Sequence, residues 1–259
     1  MTSAENNNLE KAAEIWRASK TAVALTGAGV SVASGIPDFR SSGGLWDEFE
    51  PMEYATLNTF IDEPEKVWKM FLAVSSQVRQ ASPNPAHIAL AELEKAGKLR
   101  AVITQNIDGL HQVAGSKTVI EMHGCGRTLA CPECGYHEPT PTTGLPPQPI
   151  PCPRVATVPG SHQLFHYLKP DVILFGEDLK REVMQEIIHW QNSLDLLLII
   201  GTSAEVHPAA GLPTAVHALG AKIIEINTEP TRITKTRTDC FLQGKAEEVL
   251  PALQKLVLA

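Results

Sequence analysis

The run Leu194-Asp195-Leu196-Leu197-Leu198-Ile199-Ile200 carries one polar residue in seven and has no polar face. A strand with one face in water alternates apolar and polar side chains, whereas a strand covered on both faces does not. This run therefore reads as a central strand of a parallel sheet, ending at Gly201-Thr202-Ser203. Three shorter runs read the same way. Thr21 to Leu25 leads into Thr26-Gly27, Leu99 to Thr104 into Gln105, and Lys222 to Ile226 into Asn227. Helical patterns lie between them. Leu9 to Ser19 places Leu9, Ala12, Ala13, Ile15 and Trp16 on one face. Pro85 to Ala96 turns Ile88, Leu90, Ala91 and Leu93 inward, with Gly97 as its C-terminal cap.

Strands alternating with helices predict an α/β fold: a Rossmann-like parallel sheet with helices on both faces. Ligands of such sheets bind beyond the carboxyl ends of the strands. Gly27, Gln105, Gly201 and Asn227 all fall at such ends, which predicts one shared site. Glu138 to Gly160 breaks the pattern, holding eight of the 19 prolines, and can be neither helix nor central strand. With the cysteines before it, it reads as part of a smaller inserted module. The expected division is a sheet domain of 1–124 and 171–259, a helical insertion at about 41–84, and a zinc-ribbon-like module at 125–170.

A net charge of −7 argues against binding to nucleic acid or an anionic membrane. No apolar run reaches the roughly 18 residues of a membrane span, and the first nine residues are polar and Asn-rich. The expectation is a cytoplasmic protein, a monomer or weak oligomer. Four of its five cysteines cluster between Cys125 and Cys152, which in a cytosolic chain points to metal ligands before disulfides.

Gly27-Ala28-Gly29 after a strand lets the backbone approach a pyrophosphate, with the following amides and a helix N-terminus as donors. A plain tight turn is the alternative. The dinucleotide fingerprint is incomplete, because Val32 stands where its third glycine belongs. Asp38-Phe39-Arg40 reads as a flap over a ligand or as a surface loop. Gln105, Asn106 and Asp108 leave a strand end together and suit hydrogen bonds to a carboxamide and to ribose hydroxyls; Asp108-Gly109 is also a good turn pair. His111 reads as structural. His123 is either a satisfied core histidine or a base working near its ordinary pKa of about 6.5.

Cys131-Pro132-Glu133-Cys134 is half of a zinc site, and Cys152 opens the second half. Val155 stands where the fourth thiolate belongs. Cys125, His137 or His162 can complete the set, or the metal has been lost.

Together these motifs resemble the sirtuins, the NAD-dependent protein-lysine deacylases, from about Thr21 to Leu250. Gly27, Ala28, Gly29 and Ser31 with Asp38, Phe39 and Arg40 are similar to the family's cofactor-binding loop. Gln105, Asn106, Ile107 and Asp108 are similar to its nicotinamide pocket, and His123 to its catalytic histidine, with Asn106 beside it in the reaction. Gly201, Thr202, Ser203 and Asn227 match its ribose and adenine contacts, and Ala246 its last adenine-side loop. Val172 to Glu177 resembles the strand that pairs with substrate peptide, so that Val172, Leu174, Phe175, Gly176 and Glu177 would bind it. Cys131, Cys134 and Cys152 would hold a structural zinc.

The resemblance implies a reaction. The acyl-lysine oxygen attacks the ribose carbon as nicotinamide leaves. His123 then takes a proton from a ribose hydroxyl so that the 2′-oxygen can attack the resulting alkylimidate. Water releases lysine and O-acyl-ADP-ribose, while Phe39 shields the sugar and Arg40 holds phosphate or the loop. Family members that prefer acidic acyl groups carry Tyr and Arg after a Val-Trp pair; after Val67-Trp68 this chain has Phe71 and Val74, which implies acetyl or other uncharged groups. Mono-ADP-ribosyl transfer or NAD hydrolysis from the same pocket is the alternative, and a non-catalytic NAD-sensing scaffold a third reading.

Overall fold

Every strand of the larger sheet lies parallel to its neighbours, as the unbroken apolar runs require. The computed structural model describes residues 3–38, 45–154 and 166–259. Along the chain the elements are α1 (Ser3–Ala18), β1 (Ala22–Thr26), α2 (Leu45–Glu48), α3 (Pro51–Tyr54), α4 (Leu57–Asp62), α5 (Pro64–Gln80), α6 (Pro85–Lys95), β2 (Ala101–Thr104), α7 (Leu110–Ala114), β3 (Val119–Glu121), β4 (Gly124–Ala130), β5 (His137–Pro139), β6 (Ile150–Pro151), β7 (Tyr167–Val172), α8 (Arg181–Ser193), β8 (Leu196–Ile200), α9 (Gly211–Ala218), β9 (Lys222–Asn227), β10 (Cys240–Gln243) and α10 (Ala246–Leu258). They form two units, one of Met1–Asp38, Ala81–Met122 and Lys180–Ala259, the other of Phe39–Gln80 and His123–Leu179.

The first unit holds the parallel sheet, in the order β10-β9-β8-β1-β2-β3 among the described residues. Counted within the sheet this is the doubly wound order, and it reverses between β1 and β8, where such sheets open a crevice. β1, β2 and β8 are buried along their whole length. Ala22, Ala24, Leu196, Leu198, Ile200, Ile224 and Ile226 pack with Ala12, Ala13 and Trp16 of α1, Leu90 and Leu93 of α6, and Leu250 and Leu253 of α10. Each fully buried leucine contributes about 2 kcal/mol of transfer free energy, most of it offset by lost chain entropy. Leu197, Ile199 and Ile223 alternate to the opposite face, and are equally buried.

Two expectations in this unit need correction. Ile88 does not face inward; it is 45% exposed, while Ala86, His87, Ala89, Leu90 and Leu93 are buried. The phase is set at the helix start. Asn84 caps α6, its side chain accepting from the Ala86 amide at 2.9 Å, and the His87 ring folds back to accept from the Asn84 amide at 3.3 Å. Nor does an α-helix follow Gly27-Ala28-Gly29. Two 3-10 turns, Ala28–Val30 and Val32–Ser34, take its place.

The second unit carries an antiparallel sheet in the order β5-β4-β7-β6. Pro139 of β5 and Pro151 of β6 lie on its edge strands, where missing amide donors are tolerated, and Pro170 of the central β7 stands at the register shift between β4 and β7. Leu129, Cys131, Cys152 and Leu168 form a small core, with Tyr136, Leu145 and Ile150 against it. The helices α2 to α5 belong to the same unit. On them Phe60, Trp68 and Phe71 are buried, and Phe71 meets Phe60 and Trp68 edge-on, with ring centroids 6.3 and 6.1 Å away. The Trp68 indole donates to the Pro146 carbonyl at 2.8 Å, and Arg79 donates to the Thr143 carbonyl, which ties the Pro-rich segment to α5.

The strand expected through Glu177 ends at Val172. The Glu177 amide closes a turn on the Leu174 carbonyl at 3.0 Å, with Gly176 at φ +89°, a conformation that favours glycine. Phe175 still pairs with Thr56 as an isolated bridge.

Candidate active site

At the crevice of the first unit the strand ends are joined by hydrogen bonds. The Gly27 amide donates to the Ile200 carbonyl at 3.2 Å, Gly29 to Gly201 at 2.9 Å, Gln105 to Thr26 at 3.0 Å and Gly201 to Ile226 at 3.0 Å. A Cβ on Gly27 would stand 2.6 Å from the Thr202 Cβ, and one on Gly29 would stand 2.8 Å from the Gly201 Cα. Only glycine lets these two loops meet. The result is a cradle of bare backbone, the surface a pyrophosphate needs.

Polar side chains line this edge. The Asn106 amide group donates to the Gly27 carbonyl and the Ser31 hydroxyl, both at 3.1 Å, and Ser31 donates to the Asp108 carboxylate at 2.7 Å. The second Asp108 oxygen caps α7 through the Leu110 amide at 2.9 Å. Gln105 donates to the Thr202 hydroxyl at 2.9 Å, and Asn227 to the Thr202 carbonyl at 3.2 Å. The structure thus brings Gly27, Gly29, Ser31, Gln105, Asn106, Asp108, Gly201, Thr202 and Asn227 into one polar rim. Ala28 and Ile107 lie within its loops and Ser203 follows Thr202; all three are half-buried. Ala246 opens α10, and the Gly244 amide just before it donates to the Asn227 carbonyl at 2.9 Å.

Behind Ser31 stand two buried histidines that the motif reading left outside the site. Because the Asn84 amide donates to Nδ1 of His87, Nε2 carries the proton and donates to Ser31 Oγ at 3.4 Å. The His111 ring lies 4.8 Å from the His87 ring, and its Nε2 meets the Thr26 hydroxyl at 2.9 Å. Burial pushes the His87 imidazole below its ordinary pKa, with the Asp108 carboxylate opposing. Burial, then the neighbouring His87, hold His111 at about 3. Both are neutral near pH 7. The one sequence signal for His87 was its place three residues after the Asn84 cap.

Asp38 is half-buried at the end of its described stretch; Phe39, Arg40, Val155 and His162 lie outside the described residues. His123 is the first residue of the second unit, one peptide bond beyond Met122. It is half-buried, and its carbonyl accepts from the Ile173 amide at 2.9 Å. Gly124 pairs with Val172. At φ +77°, a Cβ there would lie 2.0 Å from the Asp171 carbonyl oxygen.

In the same unit the sulfurs of Cys131, Cys134 and Cys152 lie within 4.8 Å of one another, with Cys134 and Cys152 at 3.5 Å. A tetrahedral zinc with bonds of about 2.3 Å spaces its sulfurs about 3.8 Å apart, so three ligands fit. Among the described residues neither Cys125 nor His137 joins them. His137 instead stands with Nδ1 3.9 Å from Asp171.

A family model described as "Sir2 family" matches residues 27–208. A protein of Pyrobaculum aerophilum named NAD-dependent protein deacylase 2 is 41% identical over 93% of this chain and 92% of its own length. One of Pyrococcus furiosus named NAD-dependent protein deacylase is 42% identical over 95% of this chain and 96% of its own. Among solved structures, a mutant Sir2 homologue in complex with ADP-ribose matches with a TM-score of 0.88 at 40% identity, covering 96% of both chains. A Sir2 protein bound to a myristoylated histone peptide matches with a TM-score of 0.75 at 34% identity, covering 97% of both.

Proposed function

The chain belongs to the Sir2 family, and from that premise we propose that it removes acetyl or other uncharged acyl groups from protein lysines, consuming NAD and releasing nicotinamide and O-acyl-ADP-ribose. The observation that carries this reading is the Asn106–Ser31–Asp108 chain beside the glycine cradle, at the point where the strand order reverses. It offers bare backbone for a pyrophosphate, and amide and carboxylate groups for a carboxamide and ribose.

NAD supplies the electrophilic ribose carbon and the leaving nicotinamide. Gly27, Ala28, Gly29 and Ser31 hold its phosphate side, with Asp38, Phe39 and Arg40 closing over it. Gln105, Asn106, Ile107 and Asp108 hold the nicotinamide and its ribose; Gly201, Thr202, Ser203, Asn227 and Ala246 hold the adenosine. Asn106 orients the reacting sugar, and Ser31, steadied by His87, keeps Asn106 and Asp108 in place. His123 removes the ribose hydroxyl proton. The stretch that holds Val172, Leu174, Phe175, Gly176 and Glu177 binds the acyl-lysine peptide, in the manner of β-strand addition. The sheet domain of 1–124 and 171–259 binds NAD, and the module of 125–170 is held by a structural zinc on Cys131, Cys134 and Cys152.

No described helix is long and apolar enough to cross a membrane, and none of the five cysteines is in a disulfide. We place the protein in the cytoplasm, as a monomer or weak oligomer with protein rather than nucleic-acid partners. The test is to incubate it with NAD and an acetyl-lysine peptide and to follow both nicotinamide and peptide mass. Loss of the acetyl group together with O-acetyl-ADP-ribose is the expected result. Nicotinamide release from an unchanged peptide would replace this reading with NAD hydrolysis or ADP-ribosyl transfer.

A further inference from the structure

Lys169 sits on β7 with its side chain 3% exposed. An ammonium group is buried at high cost unless it is paired and hydrogen-bonded. Its Nζ donates to the Val172 carbonyl at 2.6 Å and stands 3.0 Å from Glu177 Oε2. The same carboxylate oxygen accepts from the Leu174 amide at 2.6 Å. One ion pair therefore pins the start, the middle and the end of the stretch from Val172 to Glu177. That stretch also bonds the catalytic segment, because the Ile173 amide donates to the His123 carbonyl and Val172 pairs with Gly124.

Replacing a buried ion pair by apolar residues often stabilises a protein, so a pair of this kind is poorly explained by stability alone. We propose that Lys169 is a positioning residue for the peptide: through Glu177 it fixes the backbone edge on which the acyl-lysine strand is held relative to His123. This rests on the deacylase reading and names a residue that serves its peptide side. Pairing through main-chain groups is indifferent to peptide sequence, so Lys169 governs affinity for any acyl-lysine peptide and leaves NAD affinity alone.

The experiment uses the full chain and two acetyl-lysine peptides of unrelated sequence, reading KM, kcat, peptide Kd with ADP-ribose present, and NAD Kd. Lys169→Met should raise peptide KM and Kd about tenfold or more for both peptides, the scale of an uncompensated buried charge. NAD Kd should move less than about twofold. Lys169→Arg, which keeps the cation, should recover most of the loss. Adding Glu177→Gln to Lys169→Met should cost less than Glu177→Gln alone, as for two residues acting as a pair. A folded Lys169→Met protein with unchanged peptide Kd overturns the proposal, as does an equal rise in NAD Kd. If Lys169→Met does not fold, Glu177→Gln decides in its place: a peptide-specific rise supports the role and unchanged peptide affinity overturns it. Failure of the deacylase reading shows separately, as a wild-type protein that binds peptide without removing its acyl group.

Discussion

Gly29 and Gly201 meet backbone to backbone across the reversal point of the sheet, the amide of one donating to the carbonyl of the other at 2.9 Å. Gly201 sits at φ +58°, and a Cβ on it would lie 2.5 Å from the Val30 amide nitrogen. Gly201→Ala must therefore either push the Gly29 loop away or abandon its own conformation. Gly97 is a control, at φ +72° with nothing within 4 Å of its Cβ direction. Gly97→Ala should cost about 1 kcal/mol by backbone strain alone. Gly201→Ala should cost about 2–4 kcal/mol and weaken NAD binding more than tenfold. Thermal unfolding and NAD titration of the two variants check this; equal effects would show that the close approach is immaterial.

His123→Ala removes the proposed base, which belongs to the second unit, while the cradle and the Asn106 chain belong to the first. General bases contribute about 10²–10⁴-fold to rate. Deacetylation should fall by that factor while NAD affinity stays within a few-fold. Single-turnover kinetics with a fluorescent acetyl-peptide reads the first quantity and calorimetry the second. Wild-type turnover in this variant would remove His123 from the mechanism.

Acid should loosen the first unit through His111. Its folded pKa is about 3, against about 6.5 for an unfolded histidine. Between those values the unfolded chain binds more protons, so stability is full above pH 6.5 and falls as pH drops toward 3. At pH 5 the loss from this group is about 2 kcal/mol. Urea midpoints at pH 7.5 and pH 5 should separate more for the wild type than for His111→Gln, whose amide can still meet Thr26. Identical acid sensitivity in both proteins would refute the assignment.

What the sequence revealed follows from what is local. β1, β2, β8 and β9 announced themselves because strands buried on both faces are apolar throughout, and their ends place the rim without further information. β8 begins two residues later than its apolar run, because Leu194 closes α8 and the Asp195 carboxylate is taken by the Lys20 and Thr21 amides. Ile88 was illegible for a different reason: the phase of α6 depends on a cap that uses a histidine. The roles of Lys169 and His87 are not legible in the sequence, because their partners, Glu177 and Ser31, become neighbours only through the fold. Motifs reveal groups that meet a ligand, and they are silent about groups that hold those groups still.

Cys131, Cys134 and Cys152 converge closely enough to bind a metal, and Cys131 and Cys152 also belong to the small core of the second unit. Zinc binding to such a site is folding free energy. The purified protein should hold about one zinc per chain, and Cys131→Ala should lose it. Chelation should lower Tm and expose the Pro-rich segment to protease, with NAD affinity little changed. A zinc-free wild type with the same Tm before and after chelator would show that the module stands without metal.

The acyl group should be uncharged because of what surrounds Phe71. That ring is buried between Phe60 and Trp68, and Val74, one turn further along α5, is half-buried and carries no charge. A succinyl carboxylate placed there would lose its water and gain no cation. A buried charge left unpaired costs several kcal/mol, so desuccinylation should be slower than deacetylation by about 10²-fold or more on one peptide backbone. Trp68 is itself held by Pro146; Trp68→Phe keeps the ring cluster but removes that bond, and should blunt discrimination among aliphatic acyl lengths. Phe71→Tyr with Val74→Arg supplies a hydroxyl and a cation on the same helix face. That pair should raise kcat/KM for the succinyl peptide and lower it for the acetyl peptide. Comparable wild-type rates on the two peptides would mean that the acyl group is not read by this part of α5.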